Sequence, residues 1–210
     1  MRDMLGVCFG NWGGSLAFGG AQLRHMRAEN LSWTPMRTTA GKYQYYTVQM
    51  LGLSLGGEQL RMEPAPAMVD TGTTLLLLQP DLYRHLVRVF RERYPHLPGV
   101  TGNTSLLSPA TDHQHCLRSS DTPDWSQWPT LELTLDGLVL QLPPTVYFWR
   151  EQRDKWCFGV QPTPDTVREG LLWCDTVLST TDDMPSSSNR SSIDTTSSAT
   201  SRCVAFTPCN

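Results

Sequence analysis

The 210-residue sequence has no long hydrophobic run, no Cys-x-x-Cys pair, no excess of positive charge and no internal repeat. Without a stretch of roughly 20 apolar residues it offers no membrane-spanning helix, and no membrane role is expected. Its net charge of −3 lacks the basic balance that nucleic-acid binders show, so no nucleic-acid partner is expected either. The absence of paired cysteines argues against zinc-finger and thioredoxin-like readings. His25, His85, His96, His113 and His115 are scattered, and the two closest, His113 and His115, sit in a loop-like stretch before Cys116. No metal or cofactor is expected from them. The first residues, Met1 to Leu5, lack the apolar core of a signal peptide and run straight into strand-like sequence.

What is present points to a turn-rich β protein. Sixteen glycines and fifteen prolines favour many short strands over a helical bundle. The six cysteines (Cys8, Cys116, Cys157, Cys174, Cys203 and Cys209) are even in number and widely spaced. That pattern reads as disulfides and an oxidising compartment, although six cysteines allow 15 pairings. Three glycosylation sequons, at Asn30, Asn103 and Asn189, agree. The expectation is a glycoprotein of the secretory pathway, extracellular or in a vacuole or lysosome. A secreted protein without a leader is unexpected, so the expectation is either that the chain is not secreted or that its beginning is missing.

Along the chain, residues 5–20 hold two apolar runs separated by glycines, a strand–turn–strand signal. Residues 43–55 are rich in β-formers, with Tyr46, Val48 and Met50 alternating against Thr47 and Gln49, and Gly56-Gly57 then makes a turn. Pro64 and Pro66 precede a short strand, Ala67 to Val69. Leu82, Leu86, Val89 and Phe90 recur at helical spacing from about Asp81 to Arg93, and Pro95 ends that helix. Its arginines, 84, 88, 91 and 93, read as a solvated face. Leu131, Leu133 and Leu135 alternate with polar residues, Asp136-Gly137 turns, and Leu138, Leu140 and Leu142 return as a hairpin. Trp125 and Trp128, flanking Pro129, read as packing for that hairpin. From Ser179 to Ser201, 14 of 23 residues are Ser or Thr. Such a segment buries too little to offset its ordering entropy. The expected organisation is a domain over 5–175 and a Ser/Thr-rich tail over 176–210 that is either disordered or the product of a shifted reading frame or retained intron.

The segment Ala67-Met68-Val69-Asp70-Thr71-Gly72-Thr73-Thr74-Leu75-Leu76 carries the chemistry. An apolar strand delivers a carboxylate, a glycine permits a tight turn and close approach, and hydroxyls flank it to fix the acid's orientation. Asp-Thr-Gly alone is an ordinary turn tripeptide, so its surroundings must carry the assignment.

Those surroundings resemble the C-terminal lobe of the pepsin-like (A1-type) aspartic proteases, in order across residues 7–160. Gly13 to Gly20 resembles the glycine-rich strand opening that lobe, and Leu31-Ser32-Trp33-Thr34-Pro35 its next strand. Tyr45 to Gly57 resembles the following hairpin, Val69 to Leu75 the second active-site motif, and Pro80-Asp81-Leu82-Tyr83 the opening of its helix. Cys116, Pro129 to Leu133 and Cys157 fit the lobe's disulfide and the hairpin it encloses, which ends in Pro144-Thr145-Val146-Tyr147. The resemblance implies a mainly β lobe of packed sheets with a short helix, from a bilobal acid-protease fold whose N-terminal lobe is absent here. It implies catalysis by Asp70, an active-site loop of Thr71, Gly72 and Thr73, and a Cys116–Cys157 disulfide. Thr73 would hydrogen-bond the Asp70 carboxylate, Gly72 would donate its N–H to it, and Thr71 would reach towards the other lobe. The activity implied is aspartic endopeptidase cleavage of a polypeptide substrate, without metal or cofactor.

Two departures qualify this. The sequence holds only one Asp-Thr-Gly, so the resemblance implies that the missing lobe, or a second copy contributing its own Asp70, must complete the site. The family's apolar-Leu-Gly-Asp segment is replaced by Leu171-Leu172-Trp173-Cys174-Asp175, where bulky side chains are expected to obstruct close backbone approach. The isolated chain is therefore expected to be inactive. A protease-like binding or inhibitor protein is the non-enzymatic alternative.

Overall fold

The structure is a computed structural model. It describes residues 5–10, 13–18, 32–38, 41–42, 45–73, 75–102, 105–109, 116–118, 123–164, 170–172, 176–181 and 203–208. The chain divides into two compact units, one formed by residues 1–48 with 174–210 and the other by residues 49–173. Both are built mainly from strands, as the glycine and proline content led one to expect.

The first unit is a five-stranded sheet. Its strands are β1 (Leu5–Gly10), β2 (Gly13–Phe18), β3 (Ser32–Pro35), β15 (Thr176–Thr181) and β16 (Cys203–Pro208). Their spatial order is β2-β1-β15-β16-β3, and every pairing is antiparallel. β15 and β16 fall within residues 176–210, where composition points to a tail. Val177-Leu178 and Val204-Ala205-Phe206 supply the apolar and β-branched residues that suit strands, and the register sets Leu178 opposite Phe206. The serine-rich stretch 182–202 lies outside the described residues. So do Asn30, Asn103, Asn189, His113, His115, Cys174 and Cys209.

The second unit centres on a six-stranded sheet of order β10-β9-β4-β6-β14, with β5 paired to β4. The members are β4 (Thr47–Leu55), β5 (Glu58–Leu60), β6 (Ala65–Val69), β9 (Leu131–Leu135), β10 (Leu138–Leu142) and β14 (Gly170–Leu172). Gly56 and Gly57 both adopt positive φ, 56° and 83°, which lets two residues turn β4 into β5. β9 and β10 pair across Asp136-Gly137 in the register the leucine alternation implies, Leu135 opposite Leu138 and Leu131 opposite Leu142. Leu131, Leu133 and Leu135 are fully buried while Glu132 and Thr134 are not.

β4 departs from simple alternation. Met50 faces Leu135 and Leu53 faces Leu133, so β4 advances three residues while β9 advances two. This one-residue bulge reverses the phase of the strand. Val48 and Met50 are buried before it, Leu53 and Leu55 after it, and Leu51 is left 42 % exposed. Tyr46, expected to share a face with Val48, precedes the strand and is exposed.

Helix α1 (Pro80–Arg93) begins with proline at its first position and buries Leu82, Tyr83, Leu86, Val89 and Phe90. Tyr83 and Val89 complete an i, i+3/i+4 stripe, the usual apolar face of a surface helix. Arg84, Arg88, Arg91 and Arg93 are exposed on the other side, with Arg84 against Asp81 and Arg93 against Glu58. The Tyr83 hydroxyl donates to the Leu107 carbonyl at 2.8 Å, and burial pushes its pKa well above the ordinary tyrosine range.

A three-stranded sheet, β11-β12-β8, joins β11 (Phe148–Gln152), β12 (Lys155–Phe158) and β8 (Cys116–Arg118). Cys116 and Cys157 are directly opposite and form the disulfide that the family resemblance implied. One turn of helix, α2 (Pro144–Tyr147), leads into β11. Around this sheet Trp125 stacks on Phe148, and Trp128 meets Phe148 edge-on, so these tryptophans are packing residues. Phe90 of α1 meets Phe158 at 5.8 Å, tying helix to sheet. Finally β13 (Val160–Pro162) runs parallel to β7 (Leu76–Leu78). Among the described residues no helix is long and apolar enough to cross a membrane.

Candidate functional site

β6 is an interior strand, flanked by β4 and β14. Its last residues, Ala67 and Val69, are almost fully buried, so the strand ends as a stiff support immediately before Asp70. Leu76 and Leu78 of β7 re-enter the core after the loop. The loop between them therefore has both ends anchored, and Asp70 stands half-buried at its start.

Two donors grip the carboxylate. The Gly72 N–H donates to Oδ1 at 2.9 Å, and the Thr73 hydroxyl donates to Oδ2 at 2.6 Å. The Thr73 N–H also reaches the Asp70 carbonyl at 3.3 Å, closing a turn. A Cβ placed on Gly72 would lie 3.2 Å from Oδ1, so glycine suits the close approach of this backbone to the acid. The Thr73 hydroxyl chiefly, then the Gly72 N–H, hold the Asp70 pKa below the ordinary carboxylate range, with partial burial opposing them. Donors that favour the charged form lower a carboxyl pKa in this way. Thr71 points out of the turn as an exposed residue.

Two further supports were not among the expected site residues. β14 runs parallel to β6 with Leu171 opposite Met68 and Leu172 opposite Val69, so its backbone is paired up to the residue before Asp70. The obstruction expected from the bulky replacement segment does not prevent pairing through Leu172; Trp173, Cys174 and Asp175 lie outside the described residues. On the other side, the Leu76 N–H donates to the Gly159 carbonyl at 2.8 Å, and the Gly159 N–H donates to the Tyr147 carbonyl at 2.7 Å. A Cβ on Gly159 would sit 3.1 Å from that carbonyl oxygen. Nothing local in the sequence marks Gly159 for this contact, which joins residues far apart in the chain.

The disulfide lies in the three-stranded sheet, apart from the carboxylate in sequence and in its own ladder. Among the described residues the one grouping that resembles a metal site is Cys116, Cys157 and Glu151. Two of its three candidate ligands are disulfide sulfurs, which offer no thiolate. Of the histidines, His85 accepts a hydrogen bond from the Arg61 N–H at 3.1 Å, and His96 is exposed beside Tyr94. Cys8 and Cys203 are placed by their backbone on β1 and β16.

The arrangement offers one rigid, hydrogen-bonded, ionised carboxylate on a doubly anchored loop. Such a group can accept a proton from water but supplies no acid of its own. The xylanase inhibitor C-terminal family matches residues 45–180, a span that includes the Asp70 loop, α1, the leucine hairpin and the disulfide. No curated protein matches the chain.

Proposed function

Because the chain belongs to the xylanase inhibitor C-terminal family, a domain of the pepsin-like aspartic protease superfamily, we propose that it carries one half of an aspartic endopeptidase site. Asp70 is one of the two carboxylates. The observation that supports this reading is the grip on its carboxylate: one backbone N–H on Oδ1, one hydroxyl on Oδ2, and a strand on either side of the loop. A structural turn does not require both oxygens of its aspartate to be fixed.

Two carboxylates held face to face share a proton, because both cannot ionise cheaply. The ionised member takes a proton from the water between them, and that water attacks the peptide carbonyl. The protonated member donates to the carbonyl oxygen and then assists departure of the amine. The protons belong to the pair once it is assembled. The second acid comes from a complementary lobe, or from another copy of this chain, and the exposed Thr71 contacts it across the join. The oxidised Cys116–Cys157 pair supports synthesis in the secretory pathway.

A second reading has its own support. The superfamily includes catalytically inactive inhibitors, and the matched family takes its name from inhibition of xylanases. In that reading the β scaffold binds a protein partner and Asp70 is a structural relic.

Expression of the full-length cDNA product separates the two. The enzyme reading expects a second Asp-Thr-Gly or Asp-Ser-Gly in that product and pepstatin-sensitive peptide cleavage at acid pH. An Asp70→Ala protein that retains every biological activity of the wild type favours the inhibitor.

A further inference from the structure

We propose that Glu151 shields the Cys116–Cys157 disulfide from attack by thiols, with Lys155 setting how strongly it does so. An irregularity in the three-stranded sheet brings these groups together. Between Arg150, opposite Trp156, and Gln152, opposite Lys155, β11 advances two residues while β12 advances one, so Glu151 is the extra residue of a bulge. A bulge re-aims a side chain. Here Glu151 Oε2 comes to lie 3.5 Å from Cys157 Sγ. Both sulfurs and a carboxylate oxygen of Glu151 fall within 4.8 Å of one another. Cys157 Sγ carries no proton while it is bonded to Cys116, so the contact is not a hydrogen bond. It sets a negative charge against a disulfide sulfur.

Lys155 Nζ meets the same Oε2 and holds the carboxylate in place. The Lys155 and Glu151 side chains are 23 % and 35 % exposed, whereas the arginine of each of the other three ion pairs among the described residues is at least 66 % exposed. A partly buried charge is screened less than one on the open surface.

Thiol exchange is sensitive to such a charge. A thiolate attacks one sulfur, a new S–S bond forms as the Cys116–Cys157 bond breaks, and the electron pair leaves on the other cysteine's sulfur. That sulfur takes a proton from water. A second thiolate then attacks the mixed disulfide, so the protein gains two electrons and the reductant becomes a disulfide. As each bond breaks, one negative charge is spread over the attacked, attacking and leaving sulfurs. In the first step two of these are Cys116 and Cys157, so a carboxylate beside Cys157 opposes the charge whichever of the pair is attacked. The Lys155 ammonium acts in the opposite sense. The carboxylate is the charge placed against Cys157 Sγ, and its effect prevails. The inference does not depend on the reading of Asp70.

Reduction of the oxidised whole chain by a small thiol at neutral pH tests it, with alkylation of Cys116 and Cys157 over time read by peptide mass spectrometry. Glu151→Gln should be reduced at least about fivefold faster than wild type, and Lys155→Gln slower by a similar factor. The opposite signs separate charge from packing, because losing an ion pair that merely held the sheet would speed reduction in both variants. The charge of the attacking thiol gives a second readout. The acceleration by Glu151→Gln should be larger with mercaptoethanesulfonate, which carries an extra negative charge, than with cysteamine, which carries a positive one. Faster reduction of both variants, an unchanged rate in Glu151→Gln, or an acceleration that is the same for the two thiols overturns the proposal.

Discussion

Replacing Thr73 by valine keeps the shape of the side chain and removes one donor from Asp70. In the wild type the Thr73 hydroxyl lies 2.6 Å from Oδ2, and the Gly72 N–H holds Oδ1 at 2.9 Å. A hydrogen bond to a charged acceptor contributes roughly 1.5–3 kcal/mol in a sheltered setting. Asp70 is only half-buried, so water competes for the carboxylate, and a loss of about 1 kcal/mol is the reasonable figure. The sign with pH is fixed by the direction of the shift. The Asp70 pKa is lowered, Thr73 being the largest cause. Its contribution is therefore fully present above the pKa of an aspartate in the unfolded chain and disappears as pH falls through the folded value. Urea denaturation at about pH 7 and again below the folded Asp70 midpoint should show Thr73→Val less stable than wild type at the higher pH and equal to it at the lower. In parallel, a carboxyl-carbon NMR titration should find the Asp70 midpoint raised towards the ordinary range, with Thr73→Ser restoring it. An equal deficit at both pH values, with an unmoved midpoint, would show that Thr73 acts by packing and not by orienting the acid.

Three further outcomes follow from contacts within the second unit. Gly159→Ala puts a methyl group 3.1 Å from the Tyr147 carbonyl and disturbs the residue that holds Leu76; a loss of about 1–3 kcal/mol in urea denaturation is expected, with the Asp70 titration shifted upward. Tyr147→Phe removes a buried hydroxyl that donates to the Pro129 carbonyl at 2.6 Å, and should cost about 1–2 kcal/mol by the same assay. Replacing Cys116 and Cys157 together by serine releases a cross-link of sequence separation 41. A loss of about 3–4 kcal/mol is expected from the loop it closes, measured as a fall in urea midpoint.

The elements legible in the sequence are those whose signal is local. The leucine hairpin could be read to the residue because alternation and an Asp-Gly turn fix its register together. Helix α1 was equally plain from its apolar spacing and terminal prolines. The hydrogen bonds of the Asp70 loop were legible, since Gly72 and Thr73 lie within three residues of the acid they contact. What escaped depends on distant pairing. The bulge at Leu51 inverts the inward face of β4, and only its register against β9 reveals that. Residues 176–181 and 203–208 read as a tail because strand-forming residues frame a serine-rich stretch, and their partners β1 and β3 lie far back in the chain. Gly159 gave no sign of its role, which exists only where it meets Leu76 and Tyr147 in space.

The pH–rate profile of peptide hydrolysis by the full-length cDNA product, measured for wild type and Asp70→Asn side by side, addresses the role of Asp70 most directly. We expect pepstatin-sensitive turnover that declines as the pH rises towards neutrality in the wild type, and a loss of at least about 10³-fold in the variant. An Asp70→Asn protein that cleaves peptide at the wild-type rate across the profile would contradict the account.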